Sequence, residues 1–245
     1  MKKQLCFLLM VAFTAFSLTA CGGKDSIASD VVETTTIVPF AKGADISWLP
    51  EMEADSVKFF MADGTEADCY DVLKEAGVNA IRLRVWVDSS KSPYQAKCCD
   101  KESVVANAVR AKAAGMDIMI DFHYSDWFAD PSRQETPADW KNLDVEGLKI
   151  AVANHTKDVL NTLKEKGISP KLGIIRVGER EDDISYERGA TKRCETLGVV
   201  FEKFLLPQDV TEEALLAVID QVNKDDSIHG VLLFRPLPKH LNEEK

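Results

Sequence analysis

Two glutamates follow a short apolar stretch in the segment GIIRVGEREDD, residues 173–183. A carboxyl group at the end of a strand can give or take a proton, or attack an electrophilic carbon, when its surroundings tune its pKa for that task. Glu179 and Glu181 are therefore the first candidate catalytic residues. Whether either can act depends on the sheet to which the preceding strand belongs.

Two other segments, NAIRLRVWV and DIMIDFHYSD, alternate apolar and polar side chains as strands do. One face of each is apolar, and the other carries Arg82, Arg84 and Trp86 in the first segment and Asp121, His123 and Ser125 in the second. A strand covered by helices on both faces should be apolar on both. The polar faces therefore favour barrel strands whose carboxyl ends build a site. Arg82 and Asp121 lie deeper and could instead form an internal ion pair, so the candidate site residues here are Arg84, Trp86, His123 and Asp126.

Aromatic residues concentrate after the same predicted strands: Trp48, Trp86, Tyr124, Trp127, Phe128 and Trp140. Each alone could be core or loop packing. Together with polar neighbours they indicate stacking platforms for sugar rings, and Trp127 joins the candidate binding residues.

The period of the apolar residues switches repeatedly between two and about 3.6, which predicts alternating strands and helices and a parallel sheet. Predicted strands are 43–47, 79–87, 116–124, 172–178, 199–205 and 228–234, and predicted helices are 66–76, 101–114, 146–166, 185–197 and 211–224. A (β/α)8 barrel needs eight such units. The pattern supplies fewer, so periodicity alone leaves an incomplete barrel and an open doubly wound sheet both possible.

The first residues have a separate pattern: the cationic MKK, the apolar LCFLLMVAF and then LTAC followed by two glycines. This predicts a signal peptide over residues 1–20. The segment around Cys21 resembles a bacterial lipobox, which implies lipidation of Cys21, export and anchoring to the cell envelope. A plain secretory peptide is the alternative. Residues 21–40 are predicted to be a polar spacer.

The net charge and the cysteine content limit the classes of partner and ligand that the folded chain can bind. The chain has 245 residues and a formal net charge of -10 without a basic tract, which argues against nucleic acid as a partner of the folded part. The cysteines Cys69, Cys98, Cys99 and Cys194 form neither a metal-type spacing nor a disulfide framework, so burial of each is expected. We expect no metal and no cofactor.

Residues 41–170 resemble family 53 glycoside hydrolases, the arabinogalactan endo-β-1,4-galactanases. The resemblance rests on the segments KGADISWLPEME, GVNAIRLRVWVD, DFHYSDWFADP, PADW and HTKDVLNTLKEKGISP. It implies a (β/α)8 barrel, β-1,4-galactan or arabinogalactan as the partner, and retaining hydrolysis by two glutamates. It also favours Asp45 as a sugar-binding residue, although Asp45 could simply cap a turn. Aligned on Val177-Gly178, the chain has Glu179 and Arg180 where the family has Asn and the acid/base Glu.

Residues 172–245 resemble a different family, the N-terminal catalytic part of methylenetetrahydrofolate dehydrogenase/cyclohydrolase. The segments LGIIRVGEREDDISYERGATKRCETLGV and DDSIHGVLLFRPLPKH carry this resemblance. It implies a βαβαβ unit with a folate-binding cleft, in which Tyr186 could stack on a pterin or be a plain exposed aromatic. The position of the family's catalytic lysine holds Ala190.

The two resemblances together predict an α/β chain with an incomplete (β/α)8-type barrel of three to four units at 41–171, joined to a βαβαβ parallel-sheet segment at 172–245. The expected function is that of an endo-β-1,4-galactanase-type glycoside hydrolase, truncated and impaired because neither family glutamate is evident. The alternatives are a folate dehydrogenase/cyclohydrolase-like module and a non-catalytic galactan-binding surface lipoprotein.

Overall fold

A computed structural model describes residues 40–94 and 96–243. The strands are β1 Gly43–Asp45, β2 Phe59–Phe60, β3 Glu66–Ala67, β4 Ala80–Val85, β5 Asp117–Phe122, β6 Lys171–Val177, β7 Val200–Leu206 and β8 Gly230–Leu233. The helices are α1 Leu49–Ala54, α2 Cys69–Glu75, α3 Lys101–Ala113, α4 Val145–Glu165, α5 Glu181–Leu197 and α6 Glu212–Lys224. The predicted signal peptide, Cys21 and all of the predicted spacer except Phe40 lie outside the described residues.

Each predicted strand and helix is present, with ends that follow local capping. The helix predicted from residue 66 begins at Cys69, because the Asp68 side chain accepts a hydrogen bond from the backbone N–H of Tyr70. The helix predicted from residue 185 begins earlier, so that Glu181 is its first residue. Gly198 ends this helix at φ 74°, a left-handed cap that glycine adopts without a side-chain clash.

The hairpin of β2 and β3 and the short helix α1 were not predicted. A strand of two residues is too short to show the alternation of apolar and polar side chains by which strands are predicted. The turn between these strands contains Asp63-Gly64, with Gly64 at φ 87° and the Asp63 carboxylate accepting from the N–H of Thr65 at 2.8 Å. An Asp-Gly pair is a usable hairpin signal.

The first sheet has the order β1-β4-β5 and is parallel throughout. Its buried face carries Ile81, Leu83 and Val85, which are at most 1% exposed and belong to one hydrophobic cluster with Val105 and Ala108 of α3. Because side chains alternate along a strand, this arrangement turns the polar residues of the same strands to the opposite face.

The second sheet has the order β7-β6-β8, is also parallel, and is built by the run β6-α5-β7-α6-β8. Its core contains Ile175 and Val177 with Leu215 and Val222 of α6. The predicted α/β class is therefore confirmed. In the described residues β5 and β6 belong to different sheets, so the backbone hydrogen bonding of one sheet is not continued by the other. No helix among the described residues is both long and apolar enough to cross a membrane.

A buried ion-pair group ties α5 to the second sheet. Glu187 of α5 is 8% exposed and accepts from Arg176 Nε at 2.7 Å and from Lys203 Nζ at 2.8 Å. Burial by itself raises the pKa of Glu187, but the hydrogen bonds from Lys203 and Arg176 and their charges lower it below its usual value. The ionised carboxylate is therefore the form that the folded chain stabilises.

We predict that Glu187→Ala lowers the free energy of unfolding by about 3 kcal/mol at pH 7, because it leaves buried Arg176 without its carboxylate. Glu195→Ala, an exposed position on the same helix, is the control and should leave the urea midpoint almost unchanged. Because the folded-state pKa of Glu187 is lowered, its contribution is complete above the unfolded pKa of about 4.3 and shrinks as pH falls below it. Equal midpoints for the two variants at pH 7 would contradict this role.

Candidate functional site

A charged network crosses the polar face of the first sheet. Arg82 of β4 donates to Asp45 of β1 at 2.9 Å and, through its other terminal nitrogen, to Asp121 of β5. Asp121 Oδ2 also lies 2.8 Å from His123 Nε2. The ion pair considered as one alternative for Arg82 and Asp121 is present but partly exposed, and it extends to Asp45 on one side and His123 on the other. Three strands thus contribute to one hydrogen-bonded row.

Arg84 lies one pleat further along β4 and is almost completely buried, at 3% exposed. Its backbone N–H and its Nε both donate to Ser47 Oγ, at 2.9 and 3.2 Å, and its Nε lies 3.2 Å from Asp45 Oδ2. The guanidinium carbon is 4.6 Å from the ring centroid of Trp48 and 5.1 Å from that of Phe128. Arg84 therefore supports two aromatic rings by cation–π contacts while its charge is compensated by a carboxylate.

Asp45 connects these two arginines. It accepts from Ser47 Oγ at 2.6 Å and from the Ser47 backbone N–H at 3.0 Å, which closes a turn after β1. Burial raises the pKa of Asp45, but the Ser47 hydrogen bonds and the charges on Arg84 and Arg82 outweigh it and leave the pKa below the usual value. Asp45 is consequently an ionised acceptor.

His123 has one tautomer compatible with its contacts. The backbone N–H of Ala129 donates to His123 Nδ1 at 3.2 Å, so Nδ1 carries a lone pair and the proton lies on Nε2, which donates to Asp121. The ring is 9% exposed and its centroid is 5.5 Å from that of Phe128. His123 thereby links the charged row to the loop that follows β5.

Three residues of the charged row, Arg82, Asp121 and His123, form one wall of a cavity of about 600 Å³, whereas Asp45 is not among its lining residues. The other walls come from the loop after β5 and from α4, and the lining residues include Arg82, Asp121, His123, Tyr124, Glu135, Trp140 and Leu148. Tyr124 is 40% exposed and its hydroxyl lies 2.8 Å from the Thr156 hydroxyl of α4. Charged groups on one side and aromatic rings on the other are suited to a polar ligand with apolar ring faces.

Two predicted binding residues support the site from behind. Trp86 is 3% exposed and packs with Cys98 and Cys99, and Trp127 is partly buried against the same cluster. Neither residue lines the cavity. Asp126 is 1% exposed, and its carboxylate accepts from the backbone N–H of Ala138 at 2.7 Å. Asp126 therefore anchors the single turn Ala138–Trp140 that places Trp140 in the cavity wall.

Arg82 and Asp121 were not predicted as site residues, because an ion pair explained their polar side chains. In the structure both line the cavity. Glu135 was missed entirely, because it lies in a loop without periodicity. The alternation that selected Arg84 and His123 also contains Arg82 and Asp121, since all four share one face of the sheet.

The two candidate catalytic glutamates lie elsewhere. Glu179 follows β6 and Glu181 opens α5, so both belong to the second sheet, and both side chains are exposed. Glu179 and Arg180 line a separate cavity of about 850 Å³ that shares no lining residue with the first. Arg180 donates to Asp183 at 2.6 Å and to the carbonyl oxygen of Arg235 at 3.0 Å. The fold does not bring either glutamate into the first cavity's wall.

Tyr186, the candidate folate-stacking residue, lies on α5 and is 61% exposed. Its ring meets that of Phe234 edge to face, with centroids 5.3 Å apart. Among the described residues no group of three or more His, Cys, Asp or Glu side chains is placed to hold a metal ion.

The cavity beside the parallel strands of the first sheet is thus lined by charged and aromatic side chains, as small-molecule sites commonly are. Residues 41–203 match the model of Glycosyl hydrolase family 53. The chain belongs to this glycoside hydrolase family. It is 36% identical over 160 residues to Endo-beta-1,4-galactanase of Bacillus subtilis (strain 168), a match over 64% of this chain and 37% of that protein. The Ignisphaera aggregans GH53 catalytic domain superposes with a TM-score of 0.53 at 30% identity, over 80% of this chain and 59% of that one.

A different part of the chain is similar to another protein class. Bifunctional protein FolD of Clostridioides difficile (strain 630) is 53% identical over 85 residues, which is 35% of this chain and 30% of that protein. Both resemblances predicted from the sequence are thus confirmed. The chain spans about a third of the length of each of these two curated relatives.

We predict that Ser47→Ala raises the pKa of Asp45 and lowers the free energy of unfolding by about 1–3 kcal/mol. The first effect follows from the lost hydroxyl donor, and the second from the backbone N–H of buried Arg84, which loses its acceptor, whereas Arg84 Nε keeps Asp45 Oδ2 at 3.2 Å. NMR titration of the side-chain carboxyl carbons and urea denaturation measure the two effects.

The matched control is Ser132→Ala. Ser132 Oγ donates to Asp130 at 2.5 Å in the same local turn, but Ser132 is exposed and its hydroxyl does not support a buried arginine. It should raise the pKa of Asp130, which Ser132 holds low, and leave the unfolding midpoint in place. A Ser47→Ala variant as stable as Ser132→Ala would remove Ser47 from this supporting role.

Proposed function

We propose that this chain recognises β-1,4-galactan or arabinogalactan through the first sheet and is a galactanase-type glycoside hydrolase with impaired catalysis. The proposed galactan binding rests on the two aromatic rings that contact Arg84. Trp48 and Phe128 are 54% and 41% exposed, although Arg84 itself is buried. Exposed rings next to hydrogen-bonding charges match a galactosyl ring, which has an apolar C–H face and a rim of hydroxyl groups. The printed name of the Bacillus subtilis relative supports galactan as the glycan.

The barrel that this function implies is also a proposal. Its support is the run of parallel β/α units in which β1, β4 and β5 pair in order and turn their charged residues to one face. The superposition on the Ignisphaera aggregans domain agrees with it. On this proposal the charged row of Asp45, Arg82 and Asp121 is part of a barrel interior near its carboxyl-terminal rim.

The proposed loss of catalysis rests on the residue at position 180. Retaining hydrolysis uses two carboxyl groups about 5 Å apart, one as acid/base and the other as nucleophile. In the alignment on Val177-Gly178, Arg180 replaces the acid/base glutamate, and a guanidinium does not release its proton at physiological pH. Glu179 and Glu181 follow a strand of the other sheet and are open to water. Asp121, the carboxylate of the charged row in the cavity wall, is bound by Arg82 and His123.

The second candidate function is binding of a folate-like ligand by residues 172–245. The similarity to FolD and the exposed ring of Tyr186 favour it. Ala190 stands where the resemblance expects the catalytic lysine, so this proposal is for binding without dehydrogenase or cyclohydrolase activity. Export and lipid anchoring through Cys21 stay predictions based on the first 21 residues, and they would separate the chain from cytosolic folate.

We predict that β-1,4-galactotriose binds the full chain and that Trp48→Ala weakens this binding about tenfold, since one ring stack contributes roughly 1–1.5 kcal/mol. Tyr186→Ala, which removes a similarly exposed aromatic ring from α5, should leave galactotriose binding unchanged. Titration calorimetry with galactotriose and with tetrahydrofolate on both variants separates the two candidate functions. Galactan cleavage should stay at background in the unmodified chain.

Two results would overturn parts of this account. Equal galactotriose affinity in the unmodified chain and in Trp48→Ala would remove the aromatic rim as the binding surface. Clear galactan cleavage that is lost in Glu179→Gln or Glu181→Gln would show that one of these glutamates is catalytic after all. Tetrahydrofolate binding that disappears in Tyr186→Ala, without galactotriose binding, would favour the folate proposal.

A further inference from the structure

Two adjacent cysteines lie behind the candidate site. Cys98 and Cys99 are 0% and 1% exposed, and their sulfur atoms are 3.5 Å apart. They immediately precede Asp100, which caps α3, and they pack against the indole of Trp86. The same indole Nε1 is buried without a hydrogen-bond partner. This cluster is used neither by the charged row nor by the cavity.

The backbone at this pair is unusual. Cys99 has φ 64°, and only one other non-glycine residue of the described chain, Ser56, has a positive φ. A side chain in this left-handed region clashes with its own backbone, so a non-glycine residue there is held by its surroundings. The Cys99 carbonyl oxygen accepts from the N–H of Trp86 at 2.8 Å, which is one such restraint. The conformation turns the two sulfur atoms toward each other instead of to opposite sides of an extended chain.

We propose that Cys98 and Cys99 are a modification site, at which the two sulfur atoms join in a disulfide between adjacent residues when the chain folds with a small-molecule disulfide such as oxidised glutathione. In this exchange the two cysteine thiols lose two protons and two electrons and form one S–S bond. The glutathione disulfide takes up both electrons and both protons and leaves as two thiols. No other oxidant is required.

The geometry also determines how such a bond behaves. Adjacent Cα atoms are about 3.8 Å apart across a trans peptide, whereas disulfide-linked Cα atoms are usually roughly 4.4–6.8 Å apart. A bond between neighbours is therefore strained and more easily reduced than an ordinary structural disulfide. The hydrogen bond that the Cys99 thiol donates to Cys98 Sγ and burial both raise the pKa of the Cys99 thiol, which keeps the thiolate scarce in the folded chain. Exchange is consequently fast during folding and slow once the pair is buried.

A connection to the candidate site follows from Ser47. The Cys99 sulfur lies 3.9 Å from the Ser47 carbonyl oxygen, within reach of a weak S–H hydrogen bond, and the Ser47 hydroxyl holds Arg84 and Asp45. Disulfide formation removes the S–H donor and shifts the sulfur toward Cys98. The redox state of the pair therefore acts on the turn that positions Arg84.

The test is refolding of the full chain with oxidised and reduced glutathione, followed by alkylation under denaturing conditions and peptide mapping. The expected result is a segment containing Cys98 and Cys99 that is 2 Da lighter and takes up no alkylating reagent, while Cys69 and Cys194 are alkylated. Mild dithiol treatment should restore both thiols. Alkylation of both Cys98 and Cys99, or a bond from either one to glutathione or to another cysteine, would overturn the proposal.

Two variants make the assignment specific. Cys98→Ser should abolish the 2 Da loss, and Cys194→Ser, which alters another buried cysteine on α5, should retain it. If Cys98→Ser does not fold, the mapping of the unmodified chain still decides the question, because it needs no substitution. Native folded chain exposed to oxidised glutathione should gain the bond far more slowly than refolding chain. Equal rates would contradict the protective burial of the pair.

Discussion

The position of Arg82 between two carboxylates is the constraint on which the first sheet's polar face depends. Three parallel strands place Asp45, Arg82 and Asp121 on one face, and each carboxylate there needs a positive partner once it is partly withdrawn from water. One guanidinium, with donors in a rigid fork, satisfies both. Arg84 then shares Asp45, and His123 shares Asp121, so the positions of the aromatic rings and of the loop after β5 follow from the same row.

The second sheet has its own buried ion-pair group and its own hydrophobic core. There the buried Glu187 carboxylate is neutralised by Arg176 and Lys203, as Arg82 neutralises two carboxylates in the first sheet. Because β5 and β6 are not paired in the described residues, the carboxylates that follow β6 are not delivered to the ends of β1, β4 and β5. A chain that is similar to two protein classes thus has the charged row on its first sheet and the βαβαβ run in its second.

Much of the fold could be predicted from periodicity, because long amphipathic helices and apolar strands such as α4 and β6 leave clear patterns. The short β2–β3 hairpin could not, since two residues per strand carry no period. For the site, alternation identified the right face of β4 and β5, but it could not separate side chains that line a cavity from those packed behind it. Trp86 and His123 are equally plausible by position, and only tertiary packing places one in a buried cluster and the other at the cavity.

We propose that the charged row held by Arg82 and the exposed rings of Trp48 and Phe128 together bind β-1,4-galactan. A crystal structure of the full chain with β-1,4-galactotriose tests it most directly. We expect a galactosyl ring stacked on Trp48 or Phe128 and sugar hydroxyls within hydrogen-bond distance of Arg82, Asp121 or His123, with the Arg82 contacts to Asp45 and Asp121 unchanged. Sugar bound instead in the cavity beside Glu179, or a row that rearranges to admit it, would contradict the account.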